Sequence, residues 1–166
     1  MNVDFLGRLL LMAILCLVQA VVLNHIHLFG CATPLLYVYM VLVFPHNMGK
    51  WAMLLWAFAL GLSVDIFSNT PGVASASLTA LAALQPYFFN LFVQSDMPED
   101  VKPSAAAIGF GKYSFYVFAM VLIYCLMFYS LETFHFFNLH YWLVRVAGST
   151  LLTAIIILTF ESFRKK

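Results

Sequence analysis

Charge is the scarcest ingredient of this chain. Only 9% of its 166 residues are Asp, Glu, Lys or Arg, against roughly 25% in an average soluble domain, and the mean hydropathy is +0.96. A water-soluble fold could not hide that much apolar surface. The formal net charge is +1, and basic residues stand singly except for Arg164, Lys165 and Lys166, so there is no nucleic-acid footprint. Cysteine is scarce too. Cys16, Cys31 and Cys125 are odd in number with no close pair, which points away from a disulfide framework and from a thiolate metal site. Cys16 and Cys125 read as small apolar packing residues. Ser, Cys and His nowhere form a recognisable nucleophilic motif, and Gly109-Phe110-Gly111-Lys112 lacks the remainder of a phosphate loop and its preceding strand. No cofactor is expected and the chain is read as a non-enzyme.

What the sequence does contain is apolar runs, over approximately 9–29, 34–45, 51–67, 73–93, 113–131 and 141–163. They predict an all-α integral membrane protein of six transmembrane helices, with residues 1–166 as a single membrane domain. So many crossings leave no room for a separate catalytic domain. Outside the apolar runs Lys and Arg fall on one side only: Arg8, Lys50, Lys102, Lys112 and the C-terminal Arg164, Lys165 and Lys166 alternate with connections that carry none, and Arg145 alone lies within a helix. The positive-inside rule makes that side cytoplasmic, with both termini on it. The C-terminal cluster is a topological anchor at anionic headgroups, so membrane lipids are expected partners. Arg8 and the apolar run after it imitate a signal peptide, but the run continues to spanning length, which favours a retained helix.

The segments differ in character. Residues 34–45, bracketed by Pro34 and Pro45, supply only about 18 Å of helix against the ~30 Å a span requires. This stretch is completed by the residues before Pro34, is strongly non-ideal, or re-enters; charge alternation favours crossing. In 73–93, Pro86 should kink the helix, and the small residues Ala76, Ala80 and Ala83 suit close internal packing. The helix at 113–131 is crowded with aromatics, and the face including Tyr116, Tyr124 and Phe128 is the better candidate for exposed partner contact.

Among ionisable residues Asp65 is the most informative, because a charge inside an apolar helix is costly and normally faces a partner, a cavity or a functional path. Arg145 lies at a similar expected depth in the sixth segment, so Asp65 and Arg145 form a candidate intramembrane polar pair, structural in role or part of a polar-ligand or proton site. His25, His27, Glu132, His135 and His140 gather on the outer side, but their spacings do not make a helical metal clamp; interfacial polar packing is preferred and no metal is assigned. The mixed-charge connection over 94–112 is either a solvated connector or a docking element.

Gly61-Leu62-Ser63-Val64-Asp65-Ile66-Phe67, followed by Pro71-Gly72-Val73-Ala74, resembles the Gly-Leu-x-x-Asp segment and following glycine of the rod shape-determining MreD family. Gly61, Leu62, Asp65 and Gly72 are the residues that match, and length, crossing number and the Pro34-led second segment extend the likeness over nearly the whole chain. The resemblance implies a component of the bacterial cytoplasmic (inner) membrane that belongs to the cell-elongation machinery for peptidoglycan synthesis. It implies a scaffold or assembly factor that binds MreC and, through the assembly, MreB, RodA and the elongation transpeptidase. That family resembles in fold the substrate-binding subunit of energy-coupling-factor transporters, which supplies the rival expectation of a vitamin-type transporter subunit.

Overall fold

The computed structural model describes residues 2–21, 33–45, 48–92, 109–133 and 139–164. Among them every regular element is a helix: α1 (Asn2–Val21), α2 (Val38–Leu42), α3 (Lys50–Ser68), α4 (Val73–Phe92), α5 (Phe110–Glu132) and α6 (Leu139–Arg164). Three stretches are long and apolar enough to cross a membrane, Lys50–Ser68, Phe110–Glu132 and His140–Phe163. In α1 the qualifying apolar stretch is the shorter Leu6–Gln19. Although α4 is 20 residues long, its hydropathy is diluted by Ser75, Ser77, Thr79, Gln85 and Asn90, and it packs between α3 and α5. It runs on through Pro86 without interruption.

One end of the bundle gathers the end of α3, the start of α4, the end of α5 and the start of α6. Arg8 lies at the other end, its guanidinium Nη1 3.3 Å from Met48 Sδ, as do Lys50, whose ammonium sits over the Tyr87 ring, and Lys112 in the first turn of α5.

The second apolar segment departs from its expected form. Instead of a helix over 34–45, only Val38–Leu42 is α-helical, and the chain from Thr33 to Tyr37 is irregular or turned. All five residues of α2 are buried, with Val38, Val41 and Leu42 wholly inaccessible. So short a helix survives because the other elements enclose it: α3, α4 and α5 pack on it, and α1 and α6 supply side chains to the backbone ahead of it. The remaining core is aromatic and aliphatic, including Leu60, Leu78, Leu81, Tyr113, Tyr116, Met120, Tyr124 and Ile157.

The outward surface is apolar as well. Along α3, Trp51, Leu55, Phe58, Leu62 and Ile66 are exposed at 87%, 70%, 46%, 41% and 78%. Their spacing of three or four residues puts them on one face of the helix. A helix that is apolar on its outward as well as its inward face has the composition of a core helix or a membrane span.

Candidate functional site

Asp65 joins two helices. Its backbone carbonyl closes α3 by accepting the N–H groups of Asn69 and of Thr70 (3.2 Å), and Asn69 takes the left-handed conformation at φ 55°. Its carboxylate then opens α4. Oδ1 accepts from the Ala74 N–H (2.9 Å) and the Thr70 hydroxyl (3.0 Å), and Oδ2 from the Ser75 N–H (3.0 Å). The first turn of a helix leaves N–H groups without intrahelical partners. Here Val73 donates to the Thr70 carbonyl and Ala76 to that of Gly72, so with the two bonds to Asp65 all four are satisfied. The position also favours an anion, because the helix N-terminus carries partial positive charge. At 5% exposure the carboxylate is buried in this role, with both oxygens engaged.

Gly61, one turn earlier, sets how closely the helices meet. A Cβ built there would lie 2.3 Å from Ser75 Cα and 2.7 Å from Ser75 N, so only glycine admits the backbone of α4 at this distance. Gly72 has φ +86° with open space around it, a conformation that glycine adopts without strain. Gly61, Asp65 and Gly72 therefore act together as one clasp between α3 and α4. Leu62 lies on the exposed stripe.

A second polar device surrounds the irregular Thr33–Leu36 backbone, whose polar groups lack the partners a regular helix would give them. Gln19 of α1 donates through Nε2 to the Pro34 carbonyl (3.1 Å) and accepts at Oε1 from the Leu36 N–H (3.2 Å). From α6, Ser149 Oγ accepts the Thr33 N–H (3.2 Å) and Thr153 Oγ1 accepts the Leu35 N–H (3.0 Å). The Tyr129 hydroxyl lies 2.7 Å from Ser149 Oγ and 3.0 Å from Thr33 Oγ1. Below it, the Tyr37 and Tyr124 hydroxyls pair at 2.6 Å, and the Tyr39 hydroxyl donates to Glu161 (3.0 Å).

Arg145 belongs to a third arrangement. Its Nη1 is 3.9 Å from Glu132 Oε1, and its guanidinium lies over the rings of Tyr129 (5.6 Å) and Tyr141 (5.3 Å). Arg145, Glu132 and Tyr129 border a cavity of about 280 Å³ whose lining also includes Gln19, Thr33 and Phe67.

These placements correct several expectations. Asp65 and Arg145 do not pair: the carboxylate is taken by backbone donors of α4, which it reaches across one tight turn, while Arg145 is matched by Glu132. Tyr116, Tyr124 and Phe128 do not form an exposed partner face. They are 0%, 0% and 8% exposed, because the aromatics of α5 fill the space around α2 and α4; Tyr37 meets Tyr124, and Phe89 meets Tyr116, edge to face. The small-residue face is also displaced. Ala76 and Ala83 are exposed and Ala80 half-buried, while Ala74, Ser75, Ser77 and Ala82 face inward. His25, His27, His135 and Cys31 lie outside the described residues, as does most of the 94–112 connection; His140 is exposed.

The sequence reading passed over Gln19, Ser149, Thr153 and Glu161. All are buried, and a signal existed: polar residues inside apolar helices, with Ser149 and Thr153 four apart on one face of α6.

The described residues thus define an all-helical bundle with three membrane-length apolar helices, a short enclosed helix and, at one end, a cavity bordered by Glu132 and Arg145. No protein-family model, curated protein or solved structure matches the chain.

Proposed function

We propose that the chain is a non-enzymatic scaffold of the bacterial inner membrane, crossing it with both termini cytoplasmic, and that it binds the transmembrane helix of MreC within the cell-elongation assembly. The observation that carries this reading is the division of labour on α3. One face is locked to α4 through Gly61 and Asp65; another presents the continuous apolar stripe from Trp51 to Ile66. A rigid helix with a free apolar face offers a docking surface within a bilayer, where packing rather than hydrophobic transfer drives association. The clasp residues Gly61, Asp65 and Gly72 are three of the four that resemble the MreD family, with Leu62 on the exposed stripe; Gly61 and Asp65 are occupied in helix pairing and Gly72 in the turn between the helices.

Co-expression with MreC and affinity capture test the proposal. Leu55→Ala combined with Leu62→Ala and Ile66→Ala should lower MreC capture at least fivefold while membrane accumulation of the variant stays within twofold of the parent. Undiminished capture by this triple variant rejects the docking face, and failure of the parent chain to capture MreC rejects the scaffold reading.

The rival reading, a vitamin-type transporter subunit, draws on the polar cavity beside Arg145. Its volume of about 280 Å³ sits at the lower edge of the ~300–1,000 Å³ usual for small-molecule sites. Co-purification of an ATPase module and a stoichiometric vitamin, without MreC, would install that reading instead.

A further inference from the structure

The cavity beside Arg145 is not the only concavity that Phe67 borders. Phe67 also lines an apolar groove of about 330 Å³ between α1 and α3, together with Leu9, Met12, Ala13, Cys16, Leu17 and Ser63. From Leu9 to Leu17 it follows α1 for about 12 Å at 1.5 Å per residue. A charged, partly open cavity and a long apolar groove therefore share one wall, the exposed ring of Phe67. That juxtaposition has the form of an amphiphile, polar at one end and apolar at the other.

The polar end also discriminates by charge. It offers one cation and one anion, Arg145 and Glu132, whose side chains are 27% and 32% exposed and whose nearest N···O separation is 3.9 Å. At that separation the pair is at the limit of direct contact and leaves donors and acceptors free for a ligand. The Arg145 Nε is buried and finds no hydrogen-bond partner among the described residues, so those residues do not saturate the guanidinium. Arginine matches phosphate oxygens with its planar fork of donors, and a carboxylate matches an ammonium that can donate hydrogen bonds.

We propose that the two concavities form one site for a zwitterionic phospholipid of the phosphatidylethanolamine type, with its phosphate on Arg145, its ammonium on Glu132 and an acyl chain in the α1–α3 groove. A phosphatidylglycerol headgroup would set its phosphate beside Glu132 with no cation to answer the carboxylate. A choline headgroup carries the cation but no N–H to donate. The inference rests on the membrane location given above and not on MreC binding, so either can fail while the other stands.

The test is native mass spectrometry of the full chain released from nanodiscs containing equal amounts of phosphatidylethanolamine, phosphatidylglycerol and phosphatidylcholine. The parent chain should retain one phosphatidylethanolamine at least fivefold more often than either competitor. Glu132→Gln should erase the preference over phosphatidylglycerol, and Arg145→Gln should reduce retention of all phospholipids, with Arg145→Lys restoring part of it. Because Arg145→Gln also disturbs the stacked tyrosines, Ala13→Phe gives an independent arm: it fills the groove from an exposed position and should reduce lipid retention without touching the charged pair. The proposal is overturned by equal retention of the three lipids, by an unchanged preference in Glu132→Gln, by full retention in Ala13→Phe, or by equal competition from glycerophosphoethanolamine, which has the headgroup and no chains.

Discussion

The Asp65 carboxylate serves two backbone N–H groups and one hydroxyl, so its loss should be felt as instability rather than as loss of an ion pair. Replacing a helix cap with alanine costs about 1 kcal/mol, and stranding buried donors of a charge-assisted bond adds about 1–3 kcal/mol. Asp65→Ala is expected to destabilise the purified protein by about 2–4 kcal/mol in mixed-detergent unfolding. The partners of Arg145 give a sharper measurement. Glu132→Gln and Arg145→Gln should show a double-mutant coupling of about 0.5 kcal/mol, small because both groups are partly exposed and screened. The cycle between Asp65→Asn and Arg145→Gln should be additive within about 0.5 kcal/mol; a larger coupling there would contradict the separate partners. At this scale Asp65 was legible as a residue needing a partner, since a lone carboxylate in an apolar run has few tolerable environments. Which partner it takes was not legible, because a backbone donor leaves no mark in the sequence whereas Arg145 does.

Two helices approach as closely as α3 and α4 only where side chains are absent from the contact. Gly61→Ala puts a carbon against the Ser75 backbone, which cannot swing aside as a flexible side chain would, so the hairpin must open. The expected cost is about 1–3 kcal/mol, read as a lower midpoint of thermal unfolding in detergent. Gly111→Ala is the control. Its Cβ would meet nothing within 4 Å, and inside α5 the change should be neutral or stabilising by up to about 1 kcal/mol. Equal effects of the two substitutions would show that the close approach does not govern hairpin stability. The three membrane-length helices α3, α5 and α6 follow from apolar runs of spanning length, but α2 does not. Pro34 and the short run after it signalled irregularity, yet the amount of helix depended on Gln19, Ser149 and Thr153 arriving from α1 and α6 to satisfy the Thr33–Leu36 backbone.

For the molecule as a whole, Arg8, Lys50 and Lys112 share one end of the bundle and the Asp65 turn lies at the other. If the charge bias sets orientation as the positive-inside rule requires, single cysteines at the exposed positions Gly111 and Pro71 should be labelled from opposite sides by a membrane-impermeant maleimide. Cys16 and Cys125 are buried, and Cys31 is removed by Cys31→Ser to keep the assay clean. Gly111→Cys should react only after the cytoplasmic face is opened, and Pro71→Cys in intact spheroplasts. Labelling of both from one side would overturn the arrangement of spans.

Hydropathy and charge distribution, which are sums over residues, were enough to define an apolar helical protein and the ends at which its cations gather. They act locally, through the cost of placing each group in hydrocarbon or water, and a sequence carries that cost openly. Pairing is not local. Whether Asp65 meets Arg145 or the Ala74 and Ser75 amides, whether Tyr116 and Tyr124 face outward or inward, and whether Phe67 divides two concavities depend on how helices distant in sequence are rotated and packed. That rotation is set by contacts such as Gly61 against Ser75 and by unsatisfied backbone seeking Gln19 and Thr153, which exist only once the chain has folded.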